Sequence, residues 1–316
     1  MEKVIYFAGG CFWGVAHFFK GVDGVVKVTA GYANGALDHQ PSYEEVYTDR
    51  TGFAETVEVR YDPSRVSLPE LVDLYFTVVD PLSLNRQGGD VGTRYRTGVY
   101  YVSEEDLPLI RPRFEVESAR LGAPLSVELE PLRSFYSAEE YHQDYLDKHT
   151  DGYCHIPLPA FRYLRLYQDL KALLGDEPDR IARMATVAAL LGERMKWHWV
   201  GFYRVEGGID AGAAEGSSTQ MLVLGPYCGP LACLRIGYGK GVCGTAWKER
   251  RTVIVPDVDR FPGHIACSSL SRSEIVVPVY GGGDDVVAVL DVDSAEPDAF
   301  GPIDALWLEK IARLIG

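Results

Sequence analysis

Cysteine and carboxylate side chains of this 316-residue chain occupy positions where they could do nucleophilic and acid–base chemistry. Cys11 lies in the segment Gly9-Gly10-Cys11-Phe12-Trp13-Gly14, between an apolar strand and a helical pattern. A cysteine in the first turn of a helix meets unpaired N–H groups and the helix dipole, which lower its pKa towards about 7. We therefore predict a thiolate nucleophile at Cys11, with a buried cysteine in a tight turn as the alternative.

A carboxyl group is predicted on the apolar face of a strand that spans residues 53–61. The period of two places Glu55 on the same face as Phe53, Val57 and Val59. Burial disfavours a charged carboxylate, so the pKa of Glu55 should rise, and the group could donate a proton near neutral pH. The alternative is a glutamate at the rim of the sheet that reaches solvent.

Three more carboxylates flank apolar runs in the second half of the chain. Residues 275–279 and 286–290 are near-continuous apolar segments, typical of strands buried on both faces. Glu274 begins the first run, and Asp291 and Asp293 end the second and share one face. These carboxylates could pair with a cation such as the ammonium group of an amino acid. Capping of a helix or turn by the aspartates is the alternative.

The cysteines are too few for a disulfide scaffold in a chain of this length; they are Cys11, Cys154, Cys228, Cys233, Cys243 and Cys267. The last four have the spacing C-x4-C-x9-C-x23-C, without the C-x2-C pair of common zinc sites. We therefore predict neither a metal nor another cofactor. Any disulfide is expected to be transient and catalytic.

The elements that must position Cys11 and Glu55 alternate between strand and helix. The predicted strands are 4–8, 25–30, 53–61, 98–102 and 126–132, and the predicted helices are 12–20, 68–79, one ending near 121, and 139–149. This β-α-β-β-α-β order predicts a ferredoxin-like α/β sandwich with a mixed or largely antiparallel sheet.

A second domain is predicted after the segment Ile156-Pro157-Leu158-Pro159, which gives domains 1–158 and 159–316. Helices are predicted at 162–174 and 178–195 and after Gly301-Pro302, and strands at 199–205, 221–224, 231–236, 252–255, 275–280 and 286–292. Helices gathered at the ends around a meander of strands indicate an α+β domain with a central antiparallel sheet.

The formal net charge of −14 argues against partners that are themselves anionic. Nucleic acid and anionic membrane surfaces both require clustered lysine and arginine. The first eight residues lack the long apolar stretch of a signal peptide, and no apolar run approaches the roughly 20 residues of a membrane span. We expect a cytoplasmic protein whose partners are small molecules or proteins.

The first half resembles the peptide methionine sulfoxide reductase A family over about residues 3–156. The pentapeptide Gly-Cys-Phe-Trp-Gly at 10–14 is that family's nucleophile motif, and further matching segments lie at 41–43, 54–55, 90–96, 141–143 and 152–154. The resemblance implies that Cys11 attacks the sulfoxide sulfur and that Cys154 resolves the resulting sulfenic acid to a disulfide, which thioredoxin reduces.

Further residues of this first half take their roles from the same resemblance. Glu55, with Tyr43 and Tyr95, would hold and protonate the sulfoxide oxygen. Asp90 would belong to the same polar cluster, and Phe12 and Trp13 would enclose the methyl group of the substrate.

The second half resembles the free methionine-(R)-sulfoxide reductases, which are built on a GAF domain, from about Tyr167 onward. The matching segments are 199–203, 225–227, 232–236, 239–245, 263–267, 273–276 and 290–294. The resemblance implies a nucleophile at Cys267, a resolving thiol at Cys233 and an auxiliary active-site cysteine at Cys243.

The substrate contacts of the second half are also implied by that resemblance. Glu274, Asp291 and Asp293 would bind the substrate ammonium or assist protonation, and Trp199 and Tyr203 would surround its methyl end. Together the two resemblances predict a bifunctional methionine sulfoxide reductase, with a homodimer possible. The alternatives are a reductase fused to a regulatory ligand-binding GAF module and a redox-sensing interaction protein.

Overall fold

The computed structural model describes residues 1–207, 220–265 and 268–316. The chain divides into two compact units, Met1–Leu164 and Arg165–Gly316. Each unit is built around a six-stranded sheet. None of the helices formed by the described residues is long and apolar enough to cross a membrane.

The strands of the first unit are β1 Lys3–Gly9, β2 Val25–Ala33, β3 Ala54–Tyr61, β4 Arg86–Gln87, β5 Asp90–Val91, β6 Thr97–Tyr101, β7 Glu128–Pro131 and β8 Phe135–Ser137. The sheet order is β7-β6-β1-β3-β2-β8, and β4 pairs with β5 in a separate hairpin. Neighbouring strands are antiparallel except for the parallel pair β6 and β7. The predicted mixed sheet is confirmed.

The pairing of β1 with β3 brings the two predicted catalytic groups of this unit together. Phe7 lies opposite Val57 at the end of the ladder. The last residues of β1 therefore lie beside the first residues of β3, so that Cys11, two residues after β1, approaches Glu55.

The helices of the first unit are α1 Phe12–Lys20, α2 Tyr43–Tyr47, α3 Leu68–Tyr75, α4 Leu107–Leu121 and α5 Tyr145–Lys148. Helix α1 has the predicted bounds. The predicted helix 68–79 ends earlier, because the Thr77 hydroxyl donates to the Leu74 carbonyl at 2.6 Å and competes with the helical pattern.

The prediction of one helix over 139–149 is wrong. A 3-10 turn at Glu140–His142 is separated from α5 by Asp144, which has a left-handed φ of 56°. The Gln143 side chain is used instead to bind the sheet: its amide donates to the Ala30 carbonyl and its oxygen accepts from the Ala30 N–H, both at 2.9 Å. These two hydrogen bonds hold Gln143 in an extended conformation, which interrupts the helix.

An apolar interface holds α1 on the sheet. Val15, Phe18 and Phe19 of the helix are fully buried. The Phe19 ring stacks on Phe7 with a centroid distance of 4.6 Å. Burial of three large side chains contributes several kcal/mol, so the position of the helix start, and with it Cys11, is well determined.

The strands of the second unit are β9 Trp199–Glu206, β10 Met221–Cys228, β11 Arg235–Gly237, β12 Val253–Val255, β13 Ser273–Tyr280 and β14 Val286–Ser294. They form a sheet in the order β11-β10-β9-β14-β13-β12, with every neighbouring pair antiparallel. The predicted central antiparallel sheet is confirmed. Helix α6 Leu158–Leu174 begins in the first unit and ends in the second, and the helices wholly within the second unit are α7 Arg180–Met195, α8 Gly241–Glu249 and α9 Pro302–Ala312.

Two details of the second unit differ from the sequence-based expectation. Helix α8, which begins at Gly241, was not predicted. The predicted strand 231–236 is reduced to β11, because Leu231 and Leu234 are 84% and 73% exposed and do not join the core. Helix α8 packs on the sheet instead, where Trp247 joins a core cluster with Tyr203.

We expect Gly244→Ala to destabilise the second unit. A Cβ on Gly244 would lie 2.4 Å from the Gly237 carbonyl oxygen, a backbone atom that cannot move freely. Overpacking of this kind costs about 1–3 kcal/mol, whereas alanine by itself favours a helix over glycine by about 1 kcal/mol. The measurement is the midpoint of urea unfolding of the full chain. The control is Gly282→Ala, whose Cβ would meet no atom within 4 Å; equal midpoints for the two variants would contradict the expectation.

Candidate active sites

Cys11 lies at the junction of β1 and α1, directly before the first helical residue, Phe12. Its side chain is only 7% exposed. Burial, followed by the charge of Glu55, raises the pKa of the Cys11 thiol, and a hydrogen bond from the Trp13 backbone opposes this shift. The predicted lowering of the pKa is therefore wrong, because burial outweighs the helix terminus. Cys11 rests as a thiol and must lose its proton when it attacks.

Glu55 is the carboxyl group next to this thiol, and it is 2% exposed. Its Oε2 accepts a hydrogen bond from the Phe12 N–H at 3.0 Å. Burial raises the pKa of Glu55 to about 8, against the opposing effects of that hydrogen bond and of the Arg94 charge. The predicted burial and raised pKa are confirmed, and the carboxyl group is largely protonated at pH 7.

Two tyrosines face the same thiol and carboxyl group. Tyr43 and Tyr95 each interact electrostatically with Glu55 and Cys11. Burial raises the pKa of Tyr43 to about 12 and moves that of Tyr95 well above its ordinary value. Both phenols therefore keep their protons and can donate hydrogen bonds to an oxygen atom placed between them and Glu55.

The two tyrosines are held in place by charged neighbours. The Tyr43 N–H donates to Glu139 Oε1 at 2.9 Å. The Arg94 guanidinium lies 4.4 Å from the centre of the Tyr95 ring and forms an ion pair of 2.6 Å with Asp49. A cation over an aromatic face stabilises the ring position by about 0.5–2 kcal/mol.

Asp90 lies on the hairpin strand β5 and is half-buried at the edge of the same cluster. Its charge acts on both Cys11 and Glu55. Burial raises the pKa of Asp90, and a hydrogen bond from Tyr153 opposes the shift. The structure thus brings Asp90 into the polar cluster where the sequence analysis placed it.

The aromatic pair that follows Cys11 has two different environments. Phe12 is 1% exposed and packs against the His142 ring at 5.1 Å, so it belongs mainly to the core. Trp13 is half-buried, stacks on Tyr145 at 3.7 Å and donates from Nε1 to His142 Nδ1 at 3.1 Å. Trp13 is therefore the member of the pair that presents a surface to a ligand.

Cys154 is a half-buried free thiol beside the first turn of α1. A Cβ on Gly14 would lie 2.9 Å from Cys154 Sγ, so the glycine leaves the space that the thiol occupies. Cys154 also interacts electrostatically with Cys11, which is free as well. The structure brings the two predicted partner cysteines to the same end of the helix.

Three ionisable residues of this site were not predicted: Arg94, His142 and His155. Arg94 is buried between the Tyr47 and Tyr95 rings, and His142 is 3% exposed. Local signals could have found them: Arg94 directly precedes Tyr95, His155 directly follows Cys154, and His142 lies in the matching segment 141–143.

The second unit gathers three carboxyl groups on one face of its sheet. Glu274 lies opposite Asp293 in the β13–β14 ladder, and Asp291 lies two residues away on the same face. Burial and repulsion between the carboxylates raise the pKa values of Glu274 and Asp291 far above their ordinary range. Burial raises the pKa of Asp293 to about 6, against a hydrogen bond from Ser271. The predicted convergence of these three acids is confirmed.

Cys243, near the start of α8, faces this acidic cluster. It is 3% exposed, and its Sγ lies 4.0 Å from Glu274 Oε1. One ligand atom each from Cys243, Glu274 and Asp291 lies within 4.8 Å of the others, so these residues could hold a cation. Burial raises the pKa of the Cys243 thiol, which favours an ammonium group over a metal that needs a thiolate ligand.

Two aromatic side chains complete a cavity in front of these acids. Trp199 stacks on Tyr203 at 5.9 Å and on Tyr227 at 5.5 Å. The Trp199 Nε1 donates to the Pro230 carbonyl at 3.1 Å, which fixes the ring. Trp199 and Tyr203 line the cavity together with Glu274 and the two aspartates.

The remaining cysteines have different positions. Cys233 is half-buried, packs against the core of the second unit and is disulfide-bonded. Cys228 is an exposed free thiol at the end of β10. Cys267, the predicted nucleophile, lies outside the described residues.

Comparisons with known proteins assign the first unit. The family model for peptide methionine sulfoxide reductase matches residues 3–171, more than half of the chain, and the chain therefore belongs to that family. The enzyme named peptide methionine sulfoxide reductase MsrA of Clostridium acetobutylicum is 54% identical over 157 residues, which are 50% of this chain and 96% of that protein. The crystal structure of reduced Mxr1 from Saccharomyces cerevisiae is 38% identical, covers 50% of this chain and 92% of its own, and has a TM-score of 0.48.

The second unit contains a GAF domain, whose family model matches residues 182–316. A solved structure of free methionine-R-sulfoxide reductase from Neisseria meningitidis with its substrate is 44% identical, covers 48% of this chain and 85% of its own, and has a TM-score of 0.44. The reduced form of fRMsr of Staphylococcus aureus is 41% identical, covers 48% of this chain and 92% of its own, and has a TM-score of 0.43.

The acidic cluster predicts how the second unit responds to pH. The folded-state pKa of Asp291 is raised, so the folded protein keeps a proton that the unfolded chain releases above about pH 4. Stability is therefore lost as pH rises towards the folded pKa. We expect the Asp291→Asn variant to lose less unfolding free energy than the parent between pH 5 and pH 8, by up to about 1.4 kcal/mol per pH unit, the limit for release of one proton.

Urea unfolding at the two pH values measures this difference. The exposed Glu193 provides the control, since Glu193→Gln also removes one carboxylate from the second unit and should behave like the parent. The same loss of free energy in Asp291→Asn as in the control would show that Asp291 is not a buried, protonated group.

Proposed function

We propose that the chain is a bifunctional methionine sulfoxide reductase. In this proposal residues 1–158 reduce the (S)-sulfoxide of protein-bound or free methionine, and residues 159–316 reduce free methionine (R)-sulfoxide. The observation that carries the proposal is the protonated carboxyl group of Glu55 beside the Cys11 thiol. For the second half, the support is the GAF match together with the cavity lined by Glu274, Asp291 and aromatic rings.

In the first half, Cys11 attacks the sulfoxide sulfur while Glu55 gives a proton to the sulfoxide oxygen. Tyr43 and Tyr95, which keep their protons, donate hydrogen bonds to the same oxygen. The oxygen moves to Cys11 as the hydroxyl of a sulfenic acid, and the methionine sulfur gains two electrons. The thiol proton of Cys11 returns to Glu55, so the step consumes no net proton.

The substrate methyl group lies, in this proposal, against the exposed face of Trp13, because a thioether sulfur gains from contact with an aromatic ring. Phe12 supports that surface from the core, where it is fully covered. Asp90 contributes charge at the rim of the cluster.

Cys154 then attacks the sulfenic acid sulfur of Cys11, which gives a disulfide and water. The free thiol of Cys154 beside the start of α1 supports this role. A second dithiol protein must return the disulfide to two thiols by exchange. We propose thioredoxin as that reductant. A cytoplasmic location and a homodimer stay predictions.

In the second half, Cys267 is the proposed nucleophile and Cys233 the resolving thiol. The disulfide-bonded state of Cys233 supports a redox role for it. Glu274, Asp291 and Asp293 bind the ammonium group of free methionine sulfoxide: a cation within about 4 Å would favour their charged forms and offset the burial that raises their pKa values.

Substrate size distinguishes the two halves in this proposal. The cavity of the second unit combines the aromatic rings of Trp199 and Tyr203 with the three acids, which suits the methyl and ammonium ends of a free amino acid. Cys243, buried against Glu274, is an auxiliary group of the cavity. The competing function, a regulatory module that binds a small cation-bearing ligand, uses the same cavity without turnover.

We expect each activity to depend on one cysteine. Cys11→Ser should abolish reduction of an (S)-sulfoxide peptide and leave reduction of free methionine (R)-sulfoxide within about twofold, and Cys267→Ser should do the reverse. Single-turnover formation of the reduced peptide and of free methionine, with thioredoxin added for the steady state, measures the two activities. Reduction of the (R)-sulfoxide that is unaffected by Cys267→Ser would favour the regulatory module instead.

We expect Glu55→Gln to lower kcat/KM for the (S)-sulfoxide roughly 100-fold at pH 7, because an amide cannot supply the proton. Since the protonated form of Glu55 is active and its pKa is about 8, the parent activity should fall as pH rises through that value. The variant should lack this fall. The exposed Glu105 supplies a matched control, Glu105→Gln; an unchanged pH profile in Glu55→Gln would exclude Glu55 as the proton donor.

A further inference from the structure

His155 lies beside the two cysteines whose sulfurs must join in the first half. It directly follows Cys154, and its side chain is 3% exposed. A Cβ on Gly10 would lie 3.2 Å from His155 Nε2, and a Cβ on Gly14 would lie 3.5 Å from His155 Cε1. The imidazole therefore covers the first turn of α1, the turn that carries Cys11 at its start.

The Cys154 thiol occupies the same place. The same Cβ on Gly14, which would lie 3.5 Å from the imidazole, would also lie 2.9 Å from Cys154 Sγ. The thiol and the edge of the His155 ring are thus packed side by side against one glycine of α1.

The ring nitrogens of His155 have weak polar contacts with the rest of the protein. Among the residues that the structure describes, neither nitrogen makes a hydrogen bond of ordinary geometry. Asp90 Oδ2 lies 3.8 Å from Nδ1, and the Gly9 backbone interacts weakly with the ring. A buried polar group without a good partner destabilises the fold by about 1–3 kcal/mol. Its presence in a protein therefore calls for an explanation, such as a catalytic role.

The titratable groups near His155 are Asp90, which shares a hydrogen bond with Tyr153, and the Cys154 thiol, which packs against the same glycine. Burial lowers the pKa of His155, and the Asp90 charge opposes the shift. The imidazole is therefore neutral at pH 7 and able to accept a proton.

The resolving step needs such an acceptor. Burial raises the pKa of the Cys154 thiol, so little thiolate forms unaided at pH 7. Glu55 is already protonated after the first step and cannot serve as a base.

We propose that His155 is the general base of the resolving step, a role that rests on the functions proposed above for Cys11 and Cys154. The imidazole takes the thiol proton of Cys154 as its sulfur attacks the Cys11 sulfur. The S–S bond forms and the S–O bond breaks, and the hydroxyl leaves as water with the proton from the imidazolium. The Cys154 sulfur is oxidised and the Cys11 sulfur reduced to the same disulfide level, so no further oxidant or reductant is required.

The test separates the two steps in the full chain. His155→Gln is made in a Cys267→Ser background and mixed with one equivalent of an (S)-sulfoxide peptide without reductant. Release of the reduced peptide reports the first step, loss of the second thiol reports the disulfide, and dimedone traps the sulfenic acid on Cys11. We expect peptide release within about twofold of the Cys267→Ser parent and disulfide formation slower by roughly 100-fold at pH 7.

The pH profile and chemical rescue distinguish a base from a structural residue. Disulfide formation in His155→Gln should keep rising with pH towards the Cys154 thiol pKa, whereas in the parent it should be level from pH 7 upward. In His155→Ala, added imidazole should restore the step. The exposed His39 supplies the control variant His39→Gln, which should match the parent.

An unchanged rate of disulfide formation in His155→Gln, or equal slowing of both steps, would overturn the proposal. The proposal would also be overturned if the slowed rate of disulfide formation did not rise with pH in His155→Gln and was not restored by imidazole in His155→Ala. Absence of peptide release from the Cys267→Ser parent would contradict the proposed function of the first half instead, and is thereby distinguished from failure of the His155 proposal.

Discussion

The cost of burying a negative charge next to a thiol determines the chemistry of this protein. Glu55 is held away from water beside Cys11, and the protein meets the cost by keeping the carboxyl group protonated, with a pKa of about 8. The elements around it serve that burial: β1 and β3 bring the two residues together, and the aromatic packing of α1 keeps solvent out.

In the second unit, burial also raises carboxyl pKa values, and here three carboxyl groups are involved. Three acids share one sheet face there, so repulsion adds to desolvation and only a bound cation can make the cluster favourable in its charged form. In the first unit, Glu55 is the fully buried acid beside Cys11, and Asp90 lies half-buried at the edge of the same cluster. The two sites therefore differ in the number of carboxyl groups that are buried next to a thiol.

The sequence was sufficient for the elements with a clear period, such as α1 and the strands that carry Glu55 and Asp291. It was insufficient where side chains override local propensity, as with Gln143, which binds the Ala30 backbone and interrupts a predicted helix. The pKa of Cys11 was predicted in the wrong direction because the helix terminus is visible in the sequence but the depth of burial is not. His155 was missed because its environment is made by glycines distant in the chain.

Gly14 has one more consequence. Because it has no side chain, Cys154 rests against the nucleophile helix while both thiols are still reduced. In the proposed reaction, the Cys154 thiol is therefore already close to Cys11 when the sulfenic acid forms. A short-lived sulfenic acid has little time to meet peroxide and pass to the sulfinic form, which ordinary thiols cannot reverse. In the proposed reaction, the absence of a side chain at Gly14 would thus protect the enzyme from the oxidants that create its substrate.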